Sequence, residues 1–180
     1  MRLAIGLTYG ANAKYSSSQS VGSSWEIMWT IMEWEKFKYG QHNGFSIGFG
    51  VDWRNFRIDG RKYFYKSDDG MLSENDYPAG YEPDFSRIKV FSLQVPIMWK
   101  YRTKKMTFGL GPVINFNTYA SIKNRYRDAD GAKHKDVYKQ IHQRPVTVDI
   151  MGEVSIRNWV SIYAKYSPMT ILNSTYGGDI

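Results

Sequence analysis

Apolar and polar residues alternate one by one along much of the chain, most clearly between residues 91 and 122. Phe91, Leu93, Val95, Ile97, Trp99 and Tyr101 share one parity, and Ser92, Gln94, Pro96, Met98 and Lys100 share the other. After the polar residues Arg102, Thr103, Lys104 and Lys105 the pattern resumes. Met106, Phe108, Leu110, Pro112, Ile114 and Phe116 then alternate with Thr107, Gly109, Gly111, Val113, Asn115 and Asn117. A period of two is that of a strand with one wet and one apolar face, and the short polar break predicts a hairpin. The arms exceed the ~5–6 residues of an ordinary strand and match the ~9–11 that a tilted strand needs to cross a bilayer.

Further strands follow from the same rule. Residues 2–10 place Leu3, Ile5, Leu7 and Tyr9 on one face and Ala4, Gly6 and Thr8 on the other. Residues 24–35 place Trp25, Ile27, Trp29 and Ile31 opposite Glu26, Met28, Thr30 and Met32, with a helix as the competing reading because the window lacks Gly and Pro. Residues 45–53 set Phe45, Ile47, Phe49, Val51 and Trp53 against Ser46, Gly48, Gly50 and Asp52; the parity shifts to Phe56 and Ile58, which a bulge or the exit from the membrane would explain. Residues 146–156 and 160–167 give two more strands joined by a tight turn at Arg157 and Asn158. Connections after the second, fourth and sixth strands are the shorter set, as in bacterial barrels with short periplasmic turns and longer outer loops.

The expected fold is therefore all-β: one domain over residues 1–180, an up-and-down antiparallel transmembrane β-barrel of the bacterial outer membrane. Seven strands are visible where an even number is the rule, so eight are expected, with the closing strand beyond Ile180. The polar parity is mostly Gly, Ser, Thr and Asn, and its few charges are of both signs: Glu26, Asp52, Lys100, Asp149, Glu153 and Lys165. A soluble, lipocalin-like ligand-binding barrel would turn its apolar parity inward and is the alternative. In the membrane reading Lys100, Asp149, Glu153 and Lys165 form a polar network in the lumen, because unpaired charges in a closed interior are costly.

Composition changes this picture little. The 14 Tyr and 6 Trp suit membrane interfaces. The absence of cysteine removes disulfides, thiol catalysis and thiolate metal sites. A net charge of +7 comes without a nucleic-acid motif or a basic stripe, so lipid phosphates or anionic glycans are the expected counterpart, together with outer-membrane lipid and an envelope protein partner. The long connection 59–87 carries seven acidic residues (Asp59, Asp68, Asp69, Glu74, Asp76, Glu82, Asp84). Connection 123–144 carries seven basic ones (Lys123, Arg125, Arg127, Lys133, Lys135, Lys139, Arg144). The two are expected to attract and cap the outer end.

No catalytic set can be assembled. His42, His134 and His142 lie in connections, and Asp128-Ala129-Asp130-Gly131 begins like a calcium loop but lacks its closing Glu. Asp149 and Glu153 share a face and are expected to pair with lysine rather than to act as a catalytic pair. No enzyme activity, cofactor or metal is expected, with a rim-active lipid-modifying enzyme as the alternative.

The run Leu93-Gln94-Val95-Pro96 leading to Lys100-Tyr101, the stretch Gly109-Leu110-Gly111-Pro112 and the late Tyr163-Ala164-Lys165-Tyr166-Ser167 resemble the small outer-membrane β-barrel proteins of Bacteroidetes, the PorT-like group. The resemblance is best from residue 91 to 168 and implies an eight-stranded outer-membrane barrel. It transfers no catalytic residue. The group's namesake is linked to protein secretion across the outer membrane, and the group as a whole is functionally mixed. The expected role is a non-enzymatic barrel whose outer loops bind a partner, a surface glycan or an envelope protein, alone or within a larger secretion or envelope complex.

Overall fold

The structure, a computed structural model, describes residues 2–8, 22–38, 40, 42–58, 60–156 and 160–176. Its regular elements are β1 (Arg2–Leu7), β2 (Trp25–Phe37), β3 (Asn43–Ile58), β4 (Lys62–Lys66), β5 (Leu72–Asp76), β6 (Glu82–Arg102), β7 (Met106–Arg127), β8 (Lys133–Lys139), β9 (Val146–Ile156), β10 (Val160–Tyr166) and a short 3-10 turn, Ser174–Tyr176. Seven strands form one antiparallel sheet in the order β1-β2-β3-β6-β7-β9-β10, curled into a nearly closed barrel. Seven alternating strands leave β1 and β10 pointing the same way, and among the described residues these two edges do not pair with each other. Side chains nevertheless meet across the seam: Tyr163 Oη donates to Glu26 Oε2 at 3.2 Å, and Arg2 reaches Glu153 at 2.7 Å.

The two faces of the sheet are sorted by the period of two. Residues of the apolar parity lie outside, where Ile5 is 70% exposed, Leu110 56% and Ile150 51%. The polar parity lies inside. The window 24–35 is strand, not helix, but its parity does not run through as expected. Between Thr30 and Met32 the register against β3 shifts by one residue. That bulge turns Met32 and Trp34 to the exterior and brings Glu33 and Glu35 to the inner side, where they meet Lys100. Met32 is therefore not a lumen residue.

The opposite correction applies to β3. No slip follows Trp53: Arg54, Phe56 and Ile58 continue the inward parity of Asp52 in unbroken register with β6. What changes there is the interior itself, from polar to apolar. Strands β6 and β7 also run well past the expected arms, into residues read as connections, and β8 pairs onto the extended part of β7. Within the connection after β3, β4 and β5 form a separate two-stranded hairpin.

That hairpin closes the long-loop end of the barrel. Phe64 and Leu72 enter a core with Phe56, Ile58, Ile88, Val90, Ala120, Ile122, Ile141, Ile171 and Leu172. Its backbone is fixed to the barrel wall: Phe64 N–H donates to Ser86 Oγ (2.9 Å), and Asn124 Nδ2 donates to the Phe64 carbonyl (2.8 Å). The two long connections do pack together, but through this core and not by opposite charge. Among the described residues the cross-connection ion pair is Asp84–Arg125 at 3.6 Å, exposed on both sides. Exposed pairs of that kind contribute only ~0–1 kcal/mol, whereas each buried core side chain contributes ~1.5–3 kcal/mol. The tight turn expected at Arg157 and Asn158, Asp59 of the acidic set and the chain after Tyr176 lie outside the described residues.

One close approach sets the spacing of the central hairpin. A Cβ added at Gly111 would lie 2.0 Å from the Ile97 carbonyl oxygen, a backbone atom that cannot swing away, whereas one at Gly152 would meet only Leu110 Cδ1 at 3.9 Å. Gly111→Ala is expected to cost about 1–3 kcal/mol by overpacking. Gly152→Ala should stay within about 0.5 kcal/mol of the parent, as substitutions that meet nothing usually do. Chemical unfolding midpoints of the two variants check this; equal midpoints would contradict the register.

Candidate functional site: the charged interior and the long-loop end

An inward position on a strand cannot reach bulk water, so a charge placed there must find its partner inside. The four residues Lys100, Asp149, Glu153 and Lys165 all lie in the interior, on β6, β9 and β10. Two groups result. Toward the short-turn end, Lys100 meets Glu33 (2.6 Å), Glu35 and Glu153 (3.8 Å), while Arg2 bridges Glu153 (2.7 Å) and Glu33 (3.5 Å). Arg102 closes this group from the rim through Glu35 at 2.8 Å.

The second group sits deeper and is organised by Arg54, which sequence reasoning missed. Its guanidinium contacts Asp149 (2.5 Å), Asp52 (2.8 Å) and Glu26 (3.2 Å). Lys165 joins the same carboxylates: Glu26, Asp52 at 3.0 Å and Asp149 at 3.7 Å. Asn115 Nδ2 donates to Asp149 Oδ2 at 2.8 Å. Asp52 and Asp149 are 0% exposed and Lys100 2%, so these contacts act in a medium far less polar than water. Arg54 had a signal available: it continues the parity of Asp52, and a five-donor fork suits several carboxylates at once. A small cluster of Met28, Met98, Val113 and Met151 completes the interior. Beyond the charges, Ser92 Oγ donates to Asn117 Oδ1 (2.6 Å), and Asn117 Nδ2 donates to Thr147 Oγ1 (3.2 Å), before the apolar core begins.

The interior thus reads as a network of paired charges, six carboxylates against four cations. Asp149 and Glu153 are held by cations in different groups. The three histidines are far from forming a set. His42 Nδ1 lies 2.8 Å from the Arg102 carbonyl at the short-turn end. His134 lies 2.7 Å from Asp128 and stacks on Tyr126, and His142 stacks on Tyr176 at 3.8 Å. Asp128 is a turn former: its Oδ1 accepts from the N–H groups of Asp130 and Ala132. The hydrogen bond with His134 and these backbone donors hold its carboxyl below the usual range. Among the described residues no group of three His, Asp or Glu is placed to hold a metal ion.

At the long-loop end β8 is an edge of the sheet: among the described residues its ladder is with β7 alone, while β7 stays paired with β6 as far as Arg127. Lys133, Lys135 and Lys139 line this edge strand, and charge there discourages pairing with another chain. A cleft of about 710 Å³ opens between the starts of β6 and β8, lined by Glu82, Asp84, Arg127, Lys133, His134 and their neighbours. Tyr63, Tyr77, Tyr81 and Tyr126 pack ring against ring beside it, at centroid separations of 4.5–5.6 Å. Burial, then Tyr126 and Asp136, hold the Tyr77 phenol well above its ordinary value, so the hydroxyl stays neutral. No protein-family model, curated protein or solved structure matches this chain.

Removing Arg54 leaves three buried carboxylates with one cation. Arg54→Met is expected to destabilise by about 3–5 kcal/mol, the cost of an uncompensated buried charge. Asp52→Asn/Asp149→Asn added to it should recover part of the loss. Chemical unfolding of the single and triple variants measures the coupling; a triple variant no more stable than the single one would contradict the network.

Proposed function

We propose that this chain is a non-enzymatic β-barrel protein of the bacterial outer membrane, whose long-loop end is a docking platform for an envelope protein or surface glycan, alone or within a larger secretion or envelope complex. The observation that carries this reading is the sidedness of the sheet. Leu3, Ile5, Leu110, Ile150 and Ile162 are all more than half exposed on the outer face, while ten charged groups pair inside. An apolar exterior over an interior of mutually paired charges is stable in hydrocarbon and unfavourable in water. A soluble ligand-binding barrel requires the reverse. The outward arms, such as Phe91 to Tyr101 within β6, also have the length of a tilted spanning strand. The PorT-like resemblance of residues 91–168 fits the same assignment.

Eight strands complete the barrel in this reading. A strand antiparallel to both β1 and β10 satisfies the two free edges, which unpaired in lipid would cost several kcal/mol per group. The interior charges, the methionines and the β4–β5 hairpin fill the barrel, so it does not conduct. The short-turn end faces the periplasm and the β4–β5, β7 and β8 structure faces outward.

Refolding from urea into phospholipid vesicles tests this. The protein is expected to float with vesicles after an alkaline wash and to add no conductance to a planar bilayer. A folded monomer that is stable without detergent or lipid would overturn the membrane assignment, and a steady channel would overturn the plugged interior.

A further inference from the structure

The exterior above the apolar band is not neutral. On β6, Phe85, Arg87 and Lys89 continue the outward parity of Phe91, and Arg57 of β3 and Lys123 of β7 flank Arg87 directly in the ladder. Arg125 lies opposite Phe85, and Lys135 of β8 lies opposite Arg125. Four of these cations surround one ring: Arg87 (4.8 Å), Arg125 (5.3 Å), Arg57 (5.5 Å) and Lys123 (5.7 Å) from the Phe85 centroid. Among the described residues, the ion pair on this patch is Arg125 with Asp84 at 3.6 Å. The Arg87 Nε is buried without a hydrogen-bond acceptor.

We propose that this surface, made by Arg57, Arg87, Lys89, Lys123, Arg125 and Lys135, binds the phosphate groups of lipid headgroups in the leaflet at the long-loop end. The proposal rests on the membrane-spanning reading above. Three observations carry it. First, the cations lie where headgroups begin. Trp53, Phe91 and Tyr119 are ladder neighbours at the top of the apolar band. Lys89 and Arg87 stand two and four residues beyond Phe91, roughly 7 and 13 Å along the strand and about 5–10 Å along the normal of a tilted barrel. The headgroup layer occupies roughly the first 5–8 Å outside the hydrocarbon.

Second, the patch is short of counter-charge: among the described residues Asp84, on Arg125, is the carboxylate paired with it. Burial and then Arg125 and Arg57 lower the Arg87 affinity for its proton, and burial and then Arg87, Lys135, Arg125 and Lys89 do the same at Lys123. Six cations gathered on one face against one paired carboxylate store repulsion that an anion relieves. Third, the side chains are held in place before any ligand arrives. The Phe85 ring fixes four of them by cation–π contact, and Arg57 donates to the Asp84 carbonyl at 3.0 Å. Arginine forks match phosphate oxygens two at a time.

The test uses folded protein in dodecylmaltoside, with diphosphoryl lipid A as probe and native mass spectrometry as readout. Wild type is expected to retain lipid A but not its dephosphorylated form, and inorganic phosphate at millimolar concentration should not displace it. Arg87→Gln/Lys123→Gln should weaken binding about 10- to 30-fold. Lys104→Gln/Lys105→Gln, with the same charge change in the short turn at the opposite end, should not. If the first pair fails to fold, Lys89→Gln/Lys135→Gln, on exposed positions, is read in its place. Equal loss in both pairs, equal retention of dephosphorylated lipid A, or full displacement by free phosphate or by an oligonucleotide overturns the proposal. Protein that folds in detergent but binds no lipid A overturns it while leaving the membrane assignment intact; protein that needs no detergent fails the assignment itself.

Discussion

Arg54 has no route to water, and the interior is arranged around that fact. A guanidinium at the centre of a barrel must be met by carboxylates, and Asp52, Asp149 and Glu26 come from β3, β9 and β2 to meet it. With Lys165 from β10, Arg2 from β1, Lys100 from β6 and Asn115 from β7, the charged and amide groups draw on every strand of the ring. A backbone ladder joins neighbours only. These contacts join strands across the interior and penalise any slip of register, since a one-residue shift would turn a paired charge outward and leave its partner buried.

The same constraint divides the barrel along its axis. Where paired charges fill it, the wall needs nothing more inside. Past Arg54 the inward residues become Phe56, Ile58, Ile88, Val90 and Ile122, and an apolar surface of that size has to be covered. The β4–β5 hairpin covers it with Phe64 and Leu72, and the segment after β10 adds Ile171 and Leu172. The long-loop end is thereby an ordered structure with its own core. A rigid end is a better base for docking than mobile loops, because less conformational freedom is lost on binding. Outside, the cations around Phe85 sit on strands held by that core, so their spacing is set by the sheet.

Much of the wall was legible in the sequence and much of its ends was not. Alternation from Phe91 to Phe116 located β6 and β7 and assigned their faces, because a strict period of two has one structural meaning over that length. Four interior charges were readable from parity alone. The bulge at Ile31 was not, since an extra residue in a strand carries no side-chain signature, and Met32 was misplaced as a result. Parity says which face a residue takes but not what that face meets. Phe56 and Ile58 therefore looked like a slip when they were the floor of the upper core. Strands of five residues such as β4 and β5 are too short for periodicity to rise above chance. The opposite charges of the two long connections drew attention to the correct neighbours for a minor reason: apolar burial holds them together.

The central claim is the sidedness of the barrel with respect to a membrane. The chain has no cysteine, so single cysteines can carry a nitroxide without background. Labels at the outward positions Ile97, Leu110 and Ile150 and the inward positions Gln94, Val113 and Asn115, in protein reconstituted into vesicles, report collision with oxygen and with a water-soluble nickel chelate. The account predicts high oxygen and low nickel accessibility at the three outward labels and low accessibility to both at the three inward ones. Outward labels that collide with nickel as readily as a free loop does would show that the apolar face meets water, and would contradict it.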